Sequence, residues 1–353
     1  MNENNENQQE PENNIPGEKN ANGEEQPSAE SEEFSTRLDL SGIRQSADDL
    51  RNEAAKILVG MDDVIDLILI AVFCEGHILL EGVPGIAKTL TAKITAHLID
   101  VDYNRLQFTP DLMPSDVLGT SVFNPKTAEF EFRRGPVFTN VLLVDEINRA
   151  PAKTQSALFE VMEERQATID GIRHEMSYPF LVLATQNPIE FEGTYRLPEA
   201  QIDRFIFKIL LEYPSQEAEN EILKLKHERR DHLDLSQLDK ILDKDKIREY
   251  KELIQQVYFE DHLFKYVTDI VRLTRDHPDI FMGASPRASI SMLFASKAFA
   301  ALQGRDFVKP EDIQFIARPV LRHRIILSSE KEMEGASTDD VINNIIQAVE
   351  VPR

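Results

Sequence analysis

The chain has 353 residues, enough for two domains of ordinary size, and 41% of them are hydrophobic, enough for real cores. Its formal net charge of −23 gives a surface that repels phosphate backbones, which disfavours nonspecific nucleic-acid binding. With Cys74 as its single cysteine it can form neither an intrachain disulfide nor a thiolate metal cluster.

Residues 1–34 hold ten acidic residues and one lysine among Asn, Gln, Pro and Gly. They carry too little apolar area to offset chain entropy, so a disordered acidic tail is expected there. The segment has no basic-then-apolar leader, and a cytoplasmic location follows as the expectation. Helical spacing covers residues 38–59, with Leu50, Ala54, Ile57 and Leu58 on one face. A second helix, at 62–73, is apolar almost all round and is expected to be buried against a sheet. The longest apolar run, residues 64–74, contains Asp66 and is too short to span a bilayer. Cys74 ends that run and reads as core rather than nucleophile.

The short apolar run His77-Ile78-Leu79-Leu80 leads into Glu81-Gly82-Val83-Pro84-Gly85-Ile86-Ala87-Lys88-Thr89, and an amphipathic run opening at Leu90 leads out. Strand, glycine loop, lysine-threonine and helix form the order of a phosphate cradle. Gly82 and Gly85 let backbone N–H groups turn toward an anion, Lys88 reaches β- and γ-phosphates, and Thr89 holds Mg²⁺. The helix start adds its orphan N–H groups. Ala87 stands where the last glycine of the strict pattern is usual.

A strand is expected at 102–108, then a loop punctuated by Pro110, Pro114 and Gly119. Ser121-Val122-Phe123 and Phe130-Glu131-Phe132 flank Asn124-Pro125-Lys126-Thr127 as a β-hairpin arm. Val141-Leu142-Leu143-Val144 is a buried parallel strand that ends at Asp145-Glu146. Pro151 suits the first turn of a helix running to about residue 164. Asp170-Gly171 marks a second hairpin within 166–177. Residues 180–184 form another buried strand, ending at Thr185-Gln186-Asn187-Pro188, and 206–211 a last one. From Pro214 onward helical periodicity dominates with no strong strand. Ser285 and Pro286 read as N-cap and first residue of a helix. The expected class is α/β, with a nucleotide-binding core at 35–213 followed by an α-helical domain at 214–353.

Hydrolysis needs more than a phosphate cradle: an oriented metal, an activated water and charge stabilisation at the γ-phosphate. Asp145 and Glu146 close a buried strand 57 residues after Lys88, at the strand edge where ligands of open α/β sheets bind. Asp145 is expected to orient Mg²⁺ through Thr89 or water, and Glu146 to polarise the attacking water. Asn187 is placed to hydrogen-bond that water or the γ-phosphate; the bland alternative for it is an ordinary turn. Arg204 and Arg287 each offer positive charge to the transferred phosphoryl group, with surface salt bridging as the alternative that spacing does not reject. No His-Glu-x-x-His or Gly-x-Ser-x-Gly pattern competes with this chemistry.

Taken together, Gly82-Val83-Pro84-Gly85-Ile86-Ala87-Lys88-Thr89, Val144-Asp145-Glu146-Ile147-Asn148-Arg149-Ala150-Pro151, Ala184-Thr185-Gln186-Asn187-Pro188 and Leu197-Pro198-Glu199-Ala200-Gln201-Ile202-Asp203-Arg204-Phe205 resemble the MoxR family of AAA+ ATPases. Residues 107–116 and Ser285-Pro286-Arg287-Ala288-Ser289 fit the same family. Ala87 is usual in it, whereas Arg196 departs from an expected proline. The resemblance implies an αβα P-loop core with a parallel sheet and β-hairpin inserts, a helical lid, ATP or ADP with Mg²⁺, and assembly into a ring, usually a hexamer. By matching positions, Lys88 and Thr89 belong to Walker A, Asp145 and Glu146 to Walker B, Asn187 to sensor 1 and Arg287 to sensor 2. Arg204 matches the arginine finger that acts on a neighbouring subunit's nucleotide. Val59 and Gly60 resemble the segment lining the adenine pocket. Residues 120–134 and 166–177 resemble inserts that face the ring pore or substrate. Family members act as chaperone-like ATPases, often with proteins carrying von Willebrand factor A domains. The competing expectations are a nucleic-acid motor of a related helicase-type clade, a metal-chelatase-type motor subunit, and a scaffold that binds nucleotide without hydrolysing it.

Overall fold

The continuous apolar runs at 141–144 and 181–184 become neighbouring strands in the middle of a five-stranded parallel sheet. The structure is a computed structural model that describes residues 38–83, 85–187, 195, 197–229 and 235–352, with backbone alone at 228 and 229. The acidic segment at 1–34, Pro84 of the glycine loop and Arg196 lie outside the described residues. Residues 38–353 form one compact unit.

The chain opens with α1 (Ser41–Ala55) and α2 (Asp62–Phe73), then β1 (Ile78–Glu81), α3 (Lys88–Leu98), β2 (Tyr103–Gln107) and a short α4 (Pro114–Leu118). A hairpin of β3 (Gly119–Asn124) and β4 (Glu129–Arg134) precedes β5 (Val141–Asp145) and α5 (Ala152–Glu164). A second hairpin, β6 (Gln166–Ile169) and β7 (Ile172–Glu175), leads to β8 (Leu181–Gln186), α6 (Glu199–Ile202) and β9 (Phe207–Leu210). The sheet order is β2-β5-β8-β1-β9. Both hairpins form where the sequence places them, the second turning at Asp170-Gly171, both at positive φ as such a tight turn requires.

Alternation along the strands divides the core into two layers. Ile78, Leu80, Val141, Leu143, Leu181 and Leu183 face one layer with α1, α2 and α3. Leu79, Leu142, Val144, Val182 and Ala184 face the other, against Leu158, Phe159 and Met162 of α5. Helix α2 is buried from Ile65 through Phe73, as its composition requires. Its Asp66 is 6% exposed and takes a two-pronged bond from Arg51 of α1, at 2.6 and 3.0 Å, which ties the first two helices together.

The C-terminal part is helical: α7 (Gln216–Arg229), α8 (Lys244–Gln255), α9 (Asp261–Asp276), α10 (Pro286–Leu302), α11 (Pro310–Leu321), α12 (Ser329–Met333) and α13 (Thr338–Ala348). To these it adds an antiparallel pair, β10 (Ile280–Met282) and β11 (Ile326–Leu327), too short to leave a periodic trace in sequence. Ser285 caps α10 by accepting from the Arg287 N–H, and Pro286 takes the first position. Pro151 sits at the N-cap of α5, one position earlier than expected.

A phosphate cradle at one sheet edge and an arginine pair at the other

The glycine loop leaves the C-terminal end of β1 and turns directly into α3. A Cβ on Gly82 would lie 2.3 Å from Ile86 Cδ1 and 2.8 Å from the Leu211 carbonyl, so only glycine fits. Gly85 has open space but a φ of +89°, which demands glycine for conformation rather than room. Ala87 is itself left-handed, at φ +57° and ψ +17°, as the N-cap of α3. The departure from glycine therefore keeps glycine's conformation and carries its steric cost, of order 1–2 kcal/mol. No side chain caps α3, so its first N–H groups point into the loop for an anion to bind. Lys88 Nζ donates to the Gly82 carbonyl at 2.6 Å and lies over the same loop.

Asp145, at the end of β5, is 7% exposed. One carboxylate oxygen accepts from Arg105 Nε at 2.6 Å and the other from the Thr185 hydroxyl at 3.3 Å. Glu146 has a left-handed backbone, φ +57°, and its N–H donates to the Thr185 hydroxyl at 3.0 Å. Its side chain accepts from Gln107 Nε2 at 2.6 Å and lies 3.0 Å from Arg149 Nε. Asn187, 6% exposed, follows the end of β8. Since β5, β8 and β1 are adjacent, Asp145-Glu146, Asn187 and the glycine loop emerge side by side, within about 10 Å given the usual strand spacing. Val59 and Gly60 belong to the same edge: the Thr91 hydroxyl of α3 reaches Met61 Sδ at 3.6 Å. The segment after β9 completes this edge, with the Leu211 carbonyl against Gly82 and Ala218 of α7 beside Gly60.

These residues suit a nucleotide with its metal. A cradle that a Cβ would fill, an uncapped helix start and a lysine match phosphate. Thr89 and Asp145 offer hard oxygen donors of the kind Mg²⁺ takes alongside phosphate oxygens and water. No cluster of three or more metal-ligating side chains occurs among the described residues.

Arg204 and Arg287 lie elsewhere. Arg204 precedes β9, whose Phe207 pairs with Ile78 at the start of β1, whereas the glycine loop follows the end of β1. The arginine thus sits beyond the opposite edge of the sheet from the loop of its own chain. Its Nη1 donates to the Phe159 carbonyl at 2.8 Å, and its Nε is 3.7 Å from Glu163 Oε2. Arg287 joins it there, donating from Nη2 to Glu163 Oε1 at 2.6 Å. Both line a cavity of about 250 Å³ with Gly76, His77, Glu163 and Phe294. Arg287 thus lies with Arg204, away from its own chain's glycine loop: α10 packs against α2 and starts at the far edge, which carries Arg287 with it.

The cavity wall is held by buried polar groups. His77 accepts the Val182 N–H at Nδ1, 3.0 Å, and bonds the Met162 carbonyl through Nε2 at 3.1 Å, so it is neutral with the proton on Nε2. Burial pushes its pKa down to about 4. Arg324 bonds Asp203, the residue before Arg204, at 2.7 Å, and also the carbonyls of Ile206, Val320 and Phe205. Desolvation pushes the Cys74 thiol up to about 12, in keeping with a core role.

Sequence reading passed over Arg105, Gln107, Thr185 and Glu163. Their signal is positional: Arg105 and Gln107 lie on the strand paired with β5, and Gln107 is in register with Asp145 itself.

A parallel αβα sheet with a phosphate loop, an Asp-Glu pair on the neighbouring strand edge and a helical lid defines a P-loop ATPase of the AAA class. Residues 77–207 match the family described as "ATPase family associated with various cellular activities (AAA)", and residues 272–345 match the AAA lid domain. The chain is 43% identical over 310 residues to Chaperone MoxR1 of Mycobacterium tuberculosis, covering 85% of this chain and 81% of that one. It is 30% identical over 336 residues to Protein MoxR of Methylorubrum extorquens, covering 89% and 97%. A crystal structure of a putative ATPase from Cytophaga hutchinsonii superposes with a TM-score of 0.82 at 43% identity, covering 89% of this chain and 97% of that one. The chain belongs to the MoxR family of AAA+ ATPases.

Proposed function

We propose that this ATPase hydrolyses Mg²⁺-bound ATP at sites shared between adjacent subunits of a ring, a hexamer in the family's usual form, and uses the cycle to remodel protein clients. The observation that carries the reading is the placement of the glycine loop and the two arginines at opposite ends of the same strands. Arg204 and Arg287 lie away from their own chain's glycine loop, and head-to-tail packing of subunits would bring them to a neighbour's γ-phosphate.

In this reading Gly82, Val83, Pro84, Gly85, Ile86, Ala87, Lys88, Thr89 and Leu90 hold the phosphates, with Val59 and Gly60 beside the base. Thr89 and Asp145 orient the metal, which when bound neutralises charge on the β- and γ-phosphates. Glu146 polarises the attacking water and Asn187 positions it. Glu146 is charge-paired with Arg149 and bonded to Gln107, so it must turn from them to reach water above the loop. Arg204 and Arg287 supply positive charge where it develops in the transition state. The core spans 35–213 and the lid 214–353.

The M. tuberculosis relative's name supports the chaperone-like part. So do the two hairpins, which pack together through Phe132 and His174 and present an exposed aromatic pair, Phe123 and Phe130, at 5.4 Å. We place the work in the cytoplasm, with von Willebrand factor A domain proteins as clients.

The test is Arg204→Ala. It should abolish hydrolysis while nucleotide affinity stays within about twofold, and the parent's turnover per subunit should rise with concentration. Full turnover in dilute single chains, or in the variant, would sink the shared-site reading.

A further inference from the structure

We infer that Glu163 is the positioning residue for the arginine pair, a single carboxylate that holds Arg204 and Arg287 together so that both reach the neighbouring subunit's nucleotide. The inference rests on the shared-site reading above.

Glu163 lies in the last turn of α5, with Phe159 one turn earlier on the same helix. That helix face grips Arg204 twice, through the Phe159 carbonyl at 2.8 Å and Glu163 Oε2 at 3.7 Å. The other carboxylate oxygen takes Arg287 at 2.6 Å. The two guanidinium groups come from distant parts of the chain and carry like charge, so without an anion between them they repel and separate. Other charges lining the cavity are engaged elsewhere: Arg165 pairs with Glu75 at 2.6 Å and Arg324 with Asp203 at 2.7 Å. Glu163 alone among the described carboxylates bridges Arg204 and Arg287.

The bridge is also loose enough to yield. Glu163 is 40% exposed, Arg204 31% and Arg287 44%, so the pair remains open to solvent on one side. Arg204 Nε is buried from water yet lacks a hydrogen bond, since 3.7 Å is too long for one. Two positive charges sharing one negative charge leave the cluster net positive and able to accept an incoming phosphate.

Glu163→Gln keeps the shape and removes the charge; Glu163→Asp restores the charge on a shorter arm. Both should bind ATP as the parent does, because the glycine loop is at the other edge of the sheet. In assembled protein Glu163→Gln should lower kcat about tenfold or more, the size expected when a reacting group is displaced by a fraction of an ångström to an ångström. Glu163→Asp should recover part of it. Mixing tests the site of action. Glu163→Gln subunits and Glu146→Gln subunits are each poor alone. Mixed rings should regain turnover, since a Glu163→Gln subunit then hydrolyses its own ATP using intact arginines from its Glu146→Gln neighbour. Arg204→Ala mixed with Glu146→Gln is the control. If the control pair regains turnover and the Glu163→Gln pair does not, Glu163 is not positioning the arginines and the shared-site reading stands. If neither pair regains turnover, the shared-site reading itself fails. A rise in kcat for Glu163→Gln would also overturn the inference, since Glu163 would then be a competitor of the phosphate.

Discussion

Arg324 is the side chain whose loss should cost most, and the cost can be worked from its surroundings. Its side chain is 2% exposed and donates to Asp203 Oδ1 at 2.7 Å, the Asp203 carbonyl at 3.1 Å, the Phe205 carbonyl at 2.7 Å, the Ile206 carbonyl at 3.2 Å and the Val320 carbonyl at 2.7 Å. It thereby ties the end of α11 to the α6–β9 connection that carries Arg204. Arg324→Met keeps much of the volume and removes every donor. Breaking a buried pair costs about 3–5 kcal/mol. Two features favour the lower end. Asp203 keeps the Ser285 hydroxyl at 2.9 Å and is 21% exposed, so water can replace the guanidinium. The Phe205 carbonyl keeps His323 Nε2 at 2.9 Å. We expect a loss of about 3 kcal/mol, which lowers the thermal midpoint by on the order of 5 °C for a unit of this size. Calorimetry with parallel urea titration measures it. A midpoint shift below about 1 °C, with an unchanged urea slope, would refute the reasoning by showing that water satisfies these carbonyls as well as the arginine does.

Acid should destabilise the fold through His77: its folded value, about 4, lies below the ordinary 6.5, so the unfolded chain takes up a proton first as pH falls. That contribution is full above about pH 6.5 and declines toward pH 4, reaching a loss of about 2 kcal/mol at pH 5. His323, also pushed down by burial, acts in the same direction. Urea titrations across pH should show a shallower slope for His77→Gln, and matching slopes for variant and parent would remove His77 from the account. Gly82→Ala should weaken ATP binding about tenfold or more, because overpacking against the Leu211 carbonyl costs about 1–3 kcal/mol; calorimetric titration with unaltered affinity would show that the loop can shift. Ala87→Gly relieves the left-handed strain, about 1–2 kcal/mol, but frees the unfolded chain by about 0.5–1 kcal/mol. Chemical denaturation should therefore find the variant as stable as the parent or up to about 1.5 kcal/mol more so, and clear destabilisation would contradict the strain.

What could be read in the sequence was whatever depends on local order. The strand at 141–145 announces itself because both faces are covered, and Asp170-Gly171 because a two-residue turn needs positive φ. The glycine loop reads directly from its order of strand, glycines, lysine-threonine and helix, although the left-handed backbone of Ala87 appears only in the structure. Unread were features that depend on distant pieces meeting. Arg105 and Asp145 are 40 residues apart and join only through strand pairing. Glu163 looks like one more exposed acid on an amphipathic helix until Arg204 and Arg287 arrive from 41 and 124 residues further along. The strands β10 and β11, three and two residues long, have too few positions to show alternation.

The separation of loop and arginines along one set of strands has a geometric consequence. Each subunit, on the proposed reading, is donor at one face and acceptor at the other, so the contact between subunits joins unlike surfaces. A two-fold dimer cannot satisfy it, because that symmetry pairs each surface with itself. Such a contact carries no stopping rule of its own: repeated, it closes into a ring when the turn per subunit divides the circle and winds into an open filament when it does not. The number of active sites then equals the number of contacts rather than the number of chains. An open string of subunits would always hold one idle loop at one end and one idle pair of arginines at the other, and closure is what puts both to use.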